Sequence, residues 1–547
     1  MSLIYEKFYN EIKDEKGNLI SVKFNIPENF NFSYDVLEEL AKSNPNGIAL
    51  VWVGDDHSKK TFTYKEMSEL TNMCANYFKS LGIKKNDQVM LLMKRRYEFW
   101  PSLLALHKIG AVAVPGSHLL SVSDIQYRMK VANIQHVICA ESEDVLLKVE
   151  KALKNNSSFP NLIITKGKRN GWSSMEGELP KFSKQFDRSG HLNHKDDVML
   201  IYFTSGTTKN PKGVVHTYSY PLAHILTAKE WHGVAPNSLH YTVADSGWAK
   251  SMWGNLYGQW LCEAAVFVYD YERFDADSVL TKMKNLGVRT FCAPPSVYNL
   301  FCQLQLKDYD LKKIVHMTTA GEPLPKKTFD TIKRDIGLSL YQGYGQTETT
   351  LISFQQHDKK DTVWNSVGLF SPQYQSMITD ENKKLIQQGE IGEIIIAKDN
   401  NLGLFKGYLD VNGKMISSYS SDYYHTGDTA WQDDCGNIYF YGRNDDIIKS
   451  SGYRISPAEV EDNIQKLFPE VKECAVVGIP DELKGQIIKA FVVLENTPNA
   501  SASLKKEMLT IMSECISSYK RPRDLQFEDS LPRTTSGKIM RNHLKNR

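Results

Sequence analysis

Thr204-Ser-Gly-Thr-Thr-Lys-Asn-Pro-Lys-Gly213 decides how the rest of the chain is read. The apolar run 198–203 precedes it and predicts a buried strand; Val214 and Val215 follow it. Hydroxyls, glycines and lysines are crowded between two strand-like runs. Hydroxyls and the bare backbone N–H groups of glycine suit a phosphate chain, and Lys209 and Lys212 add positive charge. The spacing is not that of the Walker loop, because no Ser or Thr follows Lys212-Gly213. The competing interpretation is a polar hairpin turn. The density of hydroxyls and lysines favours phosphate binding.

Outward from this loop, the chain alternates short strands with longer helices. Strands are predicted at 48–53, 88–93, 111–115, 136–140, 290–293, 314–319 and 338–342, and helices at 32–42, 64–81, 98–109, 124–132 and 221–232. Thr63 and Glu66 form a capping-box signal, and Gly110 ends the helix before it. This alternation predicts an α/β fold with a mostly parallel sheet. Several strands run into glycine-bearing polar turns, at 243–248, 320–324 and 343–348, and such turns at one sheet edge would frame a nucleotide cleft. From about residue 363 the helical pattern fades into a small β subdomain. The charged junction Gly442-Arg-Asn-Asp-Asp446 then precedes about 100 residues with their own strand–helix alternation, α+β in character. The expected domains are 1–442 and 443–547.

With 547 residues the chain exceeds one hydrophobic core. A formal net charge of +2 gives no basic footprint for nucleic acid, and no apolar run reaches the length of a membrane span. The eight cysteines form no Cys-x-x-Cys pair, so zinc and a disulfide framework are not indicated. A cytoplasmic protein with buried structural thiols is the expectation, since the first 14 residues read neither as a signal nor as a transit peptide.

Three motifs in order, the 204–213 loop, Tyr344-Gly-Gln-Thr-Glu348 and Pro532-Arg-Thr-Thr-Ser-Gly-Lys538, make the chain resemble the acyl-adenylate-forming superfamily of acyl-CoA synthetases, luciferases and peptide-synthetase adenylation domains. The resemblance spans nearly the whole chain and is nearest to medium-chain acyl-CoA synthetases. It implies an ATP-dependent acid–thiol ligase: a carboxylate attacks the α-phosphate, pyrophosphate leaves, and the acyl group passes to CoA with release of AMP. The acid implied is medium-chain, branched or aromatic. An enzyme loading a carrier protein, or a non-catalytic nucleotide-binding scaffold, is the alternative. The implied cofactors are ATP, Mg²⁺ and coenzyme A. The implied partners are small molecules, with a homodimer left open and neither nucleic acid nor a membrane span.

The resemblance also carries residue roles. Thr204, Ser205, Gly206, Thr207, Thr208, Lys209, Asn210, Pro211 and Lys212 would hold the β- and γ-phosphates. Glu348 would bind the metal, as suits a hard ion, and Thr347 would reach the α-phosphate. Glu322, Gln342, Gly343, Tyr344, Gly345 and Gln346 match the adenine-side segments, and Asp428 with Arg443 the ribose contacts. Lys538 matches the adenylation catalyst on a mobile domain, and Asp445 the hinge; Thr347, Glu348 and Lys538 are the catalytic set. Ser451, Gly452, Tyr453, Lys484, Arg521 and Arg523 would meet CoA, and Trp248, Gly345, Thr347 and Arg454 the acyl group. Acetate-specific relatives carry Trp where this chain has Gly345, so Gly345 is expected to open the acyl pocket. Two positions depart from the family: Lys209 stands where many members have Gly, and Arg533 replaces the commoner Lys.

Overall fold

The computed structural model describes all residues except 1, 155–160, 191, 205–210, 359–361, 381, 399–400, 418–421, 451–452, 482–483, 496–499, 535–536 and 546. Two nine-stranded sheets dominate. The central strands of the first, Val198–Thr204, Val112–Pro115, Gln88–Leu92, His136–Cys139 and Asn161–Ile164, are parallel. The second is parallel through Leu340–Gly345, His316–Ala320, Thr290–Ala293, Leu239–Thr242, Ala265–Asp270 and Ile48–Gly54. These strands are short and apolar because helices or the other sheet cover both faces. Leu91, Ala113, Leu200, Val266 and Cys292 contribute to one buried core shared by the two sheets and the helices between them.

The helix Tyr64–Ser80 begins in the expected capping box: Glu66 N–H donates to Thr63 Oγ1 and Thr63 N–H to Glu66. The helix Phe99–Ile109 ends at Gly110, which takes the left-handed conformation with φ 87°. Two expected helices are less regular. The 32–42 segment contains the π-helical turn Ser33–Glu38, and 221–232 divides into a 3₁₀ turn, one α-turn and the π-helical Thr227–Trp231. In both, buried large side chains set the winding.

A four-stranded antiparallel sheet, Ser376–Thr379, Gly392–Ala397, Tyr423–Gln432 and Ile438–Arg443, matches the expected β subdomain. Beyond it, the long hairpin Val471–Asp481 and Gly485–Leu494 pairs with Asp524–Phe527. The helices Pro457–Leu467 and Ala502–Cys515 pack a separate core around Val476, Ala490, Met508 and Met512. Six of the eight cysteines are at least partly buried; Cys435 and Cys515 are exposed, against the expectation of buried thiols throughout.

Candidate active site

The parallel strands of the second sheet end on one edge, and the site residues gather there. Leu340–Gly345 runs one strand beyond His316–Ala320, with Gly343 opposite Ala320. The Tyr-Gly segment therefore lies within the strand, not in a turn after Gln342 as the sequence suggested, and the chain turns at Gln346. Gly247 marks where the two sheets meet: a Cβ there would lie 2.2 Å from the backbone nitrogen of Ser117, so only glycine permits this approach.

Asp428 and Arg443 are fifteen residues apart but face each other across the antiparallel pair Tyr423–Gln432 and Ile438–Arg443. Asp428 is buried. Its Oδ2 accepts from Tyr344 Oη at 2.5 Å and from Gln346 Nε2 at 2.6 Å, while Oδ1 lies 3.9 Å from Arg443 Nε. Gln346 is held in turn by Tyr424, whose hydroxyl donates to Oε1 at 2.7 Å. Burial raises the Asp428 carboxyl, opposed by the charge of Arg443 and by these hydrogen bonds. Arg443 also donates to Asp445 Oδ1 at 3.2 Å, which ties the expected hinge residue to this cradle.

Glu348 carries a raised carboxyl, first because it is buried. Tyr408 Oη donates to its Oε1 at 2.8 Å, and the Lys212 ammonium stands 5.0 Å from the centre of the Tyr408 ring. Tyr408 thus links the phosphate-loop hairpin to the expected metal ligand, and sequence reading missed it because its partners lie about 60 and 200 residues away. Glu348 forms no ion pair among the described residues, and no cluster of three or more potential metal ligands occurs there. A single, unneutralised carboxylate fits Mg²⁺ of the kind that takes its remaining ligands from phosphate and water. His216 was also missed. Burial pushes its imidazole down to about 4, so the neutral ring's Nε2–H donates to the Thr347 carbonyl at 2.7 Å and fixes the backbone next to Glu348.

Thr204 and Lys212 close the phosphate-loop hairpin as a cross-strand pair, and Pro211 accepts from Tyr127 Oη at 3.0 Å. The chain does make a hairpin here, between Val198–Thr204 and Lys212–Thr217; Ser205, Gly206, Thr207, Thr208, Lys209 and Asn210 lie outside the described residues. Glu322 accepts from the Ser296 backbone at 3.3 Å, and Gln342 Nε2 is buried without a partner among the described atoms. Lys538 is exposed, with its backbone held by Thr534, and its charge acts on both Asp428 and Lys250.

A Cβ at Gly345 would stand 2.2 Å from the Thr350 carbonyl oxygen and 3.0 Å from the indole of Trp253. The tip of the Trp253 indole, from the helix Ala249–Asn255, therefore borders the place that a side chain at 345 would take. Trp248 caps that helix and is half-buried. Trp253 lies in the aromatic run 248–260, which holds no local signal to separate it from core packing.

The residues expected to meet CoA form a second group. Tyr453, Lys484, Arg521 and Arg523 line a pocket of about 200 Å³ with Ser450 and Ser518. Tyr453 and Tyr519 stack at 4.5 Å. Arg521 and Arg523 donate to the carbonyls of Ser513 and Ser518, and neither they nor Lys484 form an ion pair among the described residues. Ser451 and Gly452 lie outside the described residues, as does the side chain of Arg454.

A family model described as AMP-binding enzyme matches residues 37–409, and one described as AMP-binding enzyme C-terminal domain matches 459–538. The rat mitochondrial acyl-coenzyme A synthetase ACSM3 is 32% identical over 99% of this chain and 95% of its own. 4-Hydroxybutyrate–CoA ligase 1 of Metallosphaera sedula is 36% identical over 95% of this chain and 90% of its own. Among solved structures, the anthranilate CoA ligase AuaEII in complex with anthranoyl-AMP superposes with a TM-score of 0.85 at 25% identity, covering 95% of this chain and 98% of that one.

Proposed function

The chain belongs to the AMP-binding enzyme family, and from that premise we propose that it joins a medium-chain, branched or aromatic carboxylic acid to CoA through an acyl-adenylate, releasing pyrophosphate and then AMP. The observation that carries this reading is the convergence of Glu348, the Asp428–Arg443 pair and the charge of Lys538, drawn from three distant segments, at one sheet edge. Asp428, held on one oxygen by Tyr344 and Gln346, presents the other to the ribose hydroxyls. The 204–212 hairpin grips the β- and γ-phosphates. Glu348 and Thr347 face the α-phosphate, where Mg²⁺ on Glu348 would neutralise oxygen charge. As the acid's oxygen bonds to the α-phosphorus and the bond to the bridging oxygen breaks, negative charge moves onto pyrophosphate. Lys538 offsets charge at the reacting oxygens.

In the second half-reaction the CoA thiol forms a bond to the acyl carbon and AMP leaves. The cations of the 200 Å³ pocket, Lys484, Arg521 and Arg523, which form no ion pair among the described residues, suit the CoA phosphates, and Tyr453 with Tyr519 offers a ring face to adenine. A domain boundary at 442/443, with rotation at Asp445, would bring Lys538 to the cleft for the first step and this pocket for the second. Trp253 behind Gly345 favours branched, aromatic or short acids over extended chains. Described cysteines without disulfides fit a reducing compartment, the cytoplasm being our proposal.

The test is acid-dependent ATP–pyrophosphate exchange over a panel of acids, followed by CoA-dependent AMP release. Exchange with AMP release only on CoA addition is expected. AMP release driven by a carrier protein but not by CoA would overturn the reading.

A further inference from the structure

The cleft contains a cation that this mechanism does not use. Lys250 lies two residues after Trp248, in the helix Ala249–Asn255 that also carries Trp253. Its Nζ donates to the carbonyl of Ala320 at 2.9 Å. Ala320 ends a strand that pairs with Leu340–Gly345 on one side and Thr290–Ala293 on the other. The ammonium is therefore held at the ends of three adjacent parallel strands, on the helix that begins after Trp248 and carries Trp253. An ammonium has three N–H donors, and one carbonyl satisfies one of them. Lys250 forms no ion pair among the described residues; Glu322, Cys292 and Lys538 act on it at longer range, and burial pulls its pKa down. The side chain is only partly buried, so the remaining donors are available to an acceptor that a ligand brings.

We propose that Lys250 selects acids bearing a second oxygen function, a hydroxyl or a carboxylate, at the end remote from the reacting carboxyl. Its free N–H groups donate to that distal oxygen. ATP is the weaker candidate for this contact: its phosphates are assigned to the 204–212 hairpin in the other sheet and its ribose to Asp428, and the adenine assigned to the neighbouring Glu322 and Gln342–Gln346 segments carries no charge to offset an ammonium. A plain alkyl chain would take water from the ammonium and leave its donors unpaired, so the site discriminates against it. The inference rests on the acyl-CoA synthetase reading and names its substrate class.

The measurement is kcat/KM for pyrophosphate exchange by the full chain with butyrate, 4-hydroxybutyrate and succinate. At least one distal-oxygen acid should exceed butyrate by about ten- to a hundredfold, the range of a charge-assisted hydrogen bond. Lys250→Met, similar in length but apolar, should reverse that ratio. Lys250→Gln, which keeps a neutral donor, should give an intermediate ratio and guards against a folding failure in the first variant. Wild-type preference for butyrate overturns the proposal and leaves the synthetase reading standing. Equal loss for all three acids in the variants, together with a raised KM for ATP, assigns Lys250 to a phosphate and also overturns it. No exchange with any acid defeats the parent reading and this one together.

Discussion

At the nucleotide end of the cleft, polar side chains lock one another: Tyr344 and Gln346 converge on Asp428, Tyr424 holds Gln346, and Tyr408 holds Glu348. At the acyl end, shape is set by packing instead. Trp253 borders Gly345, and Trp248 stands at the start of the same helix. A network of buried polar groups is unforgiving, since each deletion leaves a partner unsatisfied. A wall of indoles can be recut by changing volume. The difference separates two tasks: placing phosphate charge, which every acid shares, and measuring the acid.

The largest effect should come from Lys538, which reaches the nucleotide end from the C-terminal segment. Lys538→Ala should cut acid-dependent pyrophosphate release by about 10²- to 10³-fold, the scale of losing one preorganised charge-stabilising group. Thioester formation from supplied acyl-adenylate should survive, because the phosphorus is no longer attacked in that step. Equal losses in the two assays would show that Lys538 supports the fold of the cleft and not one half-reaction.

A smaller, opposite kind of change is expected at the acyl end. Trp253→Ala should favour longer acids by about 0.8 kcal/mol, roughly fourfold, for each methylene admitted. Stability should fall by about 3–5 kcal/mol because an indole leaves a cavity. Gly345→Ala should destabilise by about 1–3 kcal/mol through its clash with the Thr350 carbonyl, with no swing toward acetate. Thermal unfolding and a chain-length series on both variants check this. A Gly345→Ala enzyme of normal stability that prefers acetate would mark glycine as the gauge of acid length.

The two ends also differed in how much the sequence disclosed. The strand–helix alternation and the capping box at Thr63 are local signals, and the structure follows them closely. The Tyr-Gly-Gln-Thr-Glu motif and the His425-Thr-Gly-Asp428 stretch of the strand Tyr423–Gln432 each lie within a single segment, so candidate groups at the nucleotide end were legible residue by residue. Their mutual hydrogen bonds were not, because Tyr344 and Asp428 are 84 residues apart and meet only through sheet pairing. The acyl end was less legible for a physical reason. Absence of a side chain at Gly345 says nothing about what a distant helix places there, and Trp253 is indistinguishable from core within its aromatic run. Lys250 escaped for the converse reason: a lysine beside a helix start reads as solvated, and only the Ala320 carbonyl reveals that it points inward.

The smallest effect tests whether the polar locking at the nucleotide end is needed at all. Tyr408→Phe removes one hydroxyl and keeps the ring that faces Lys212. Burial raises the Glu348 carboxyl, and the Tyr408 hydrogen bond opposes that rise by favouring the ionised form. Without the hydroxyl the raised carboxyl goes higher still, and Glu348 holds its proton to higher pH. Metal and proton compete for that carboxylate, so the acid limb of kcat/KM for ATP should move to higher pH and more Mg²⁺ should be needed for half-activity. The loss should be roughly tenfold at most on the acid limb, since one hydrogen bond to a charged group is involved. It should shrink as pH rises and Glu348 ionises in both enzymes. A loss of constant size across pH, with unchanged Mg²⁺ dependence, would mean that Tyr408 acts through packing alone. The nucleotide end would then resemble the acyl end more closely than its hydrogen bonds imply.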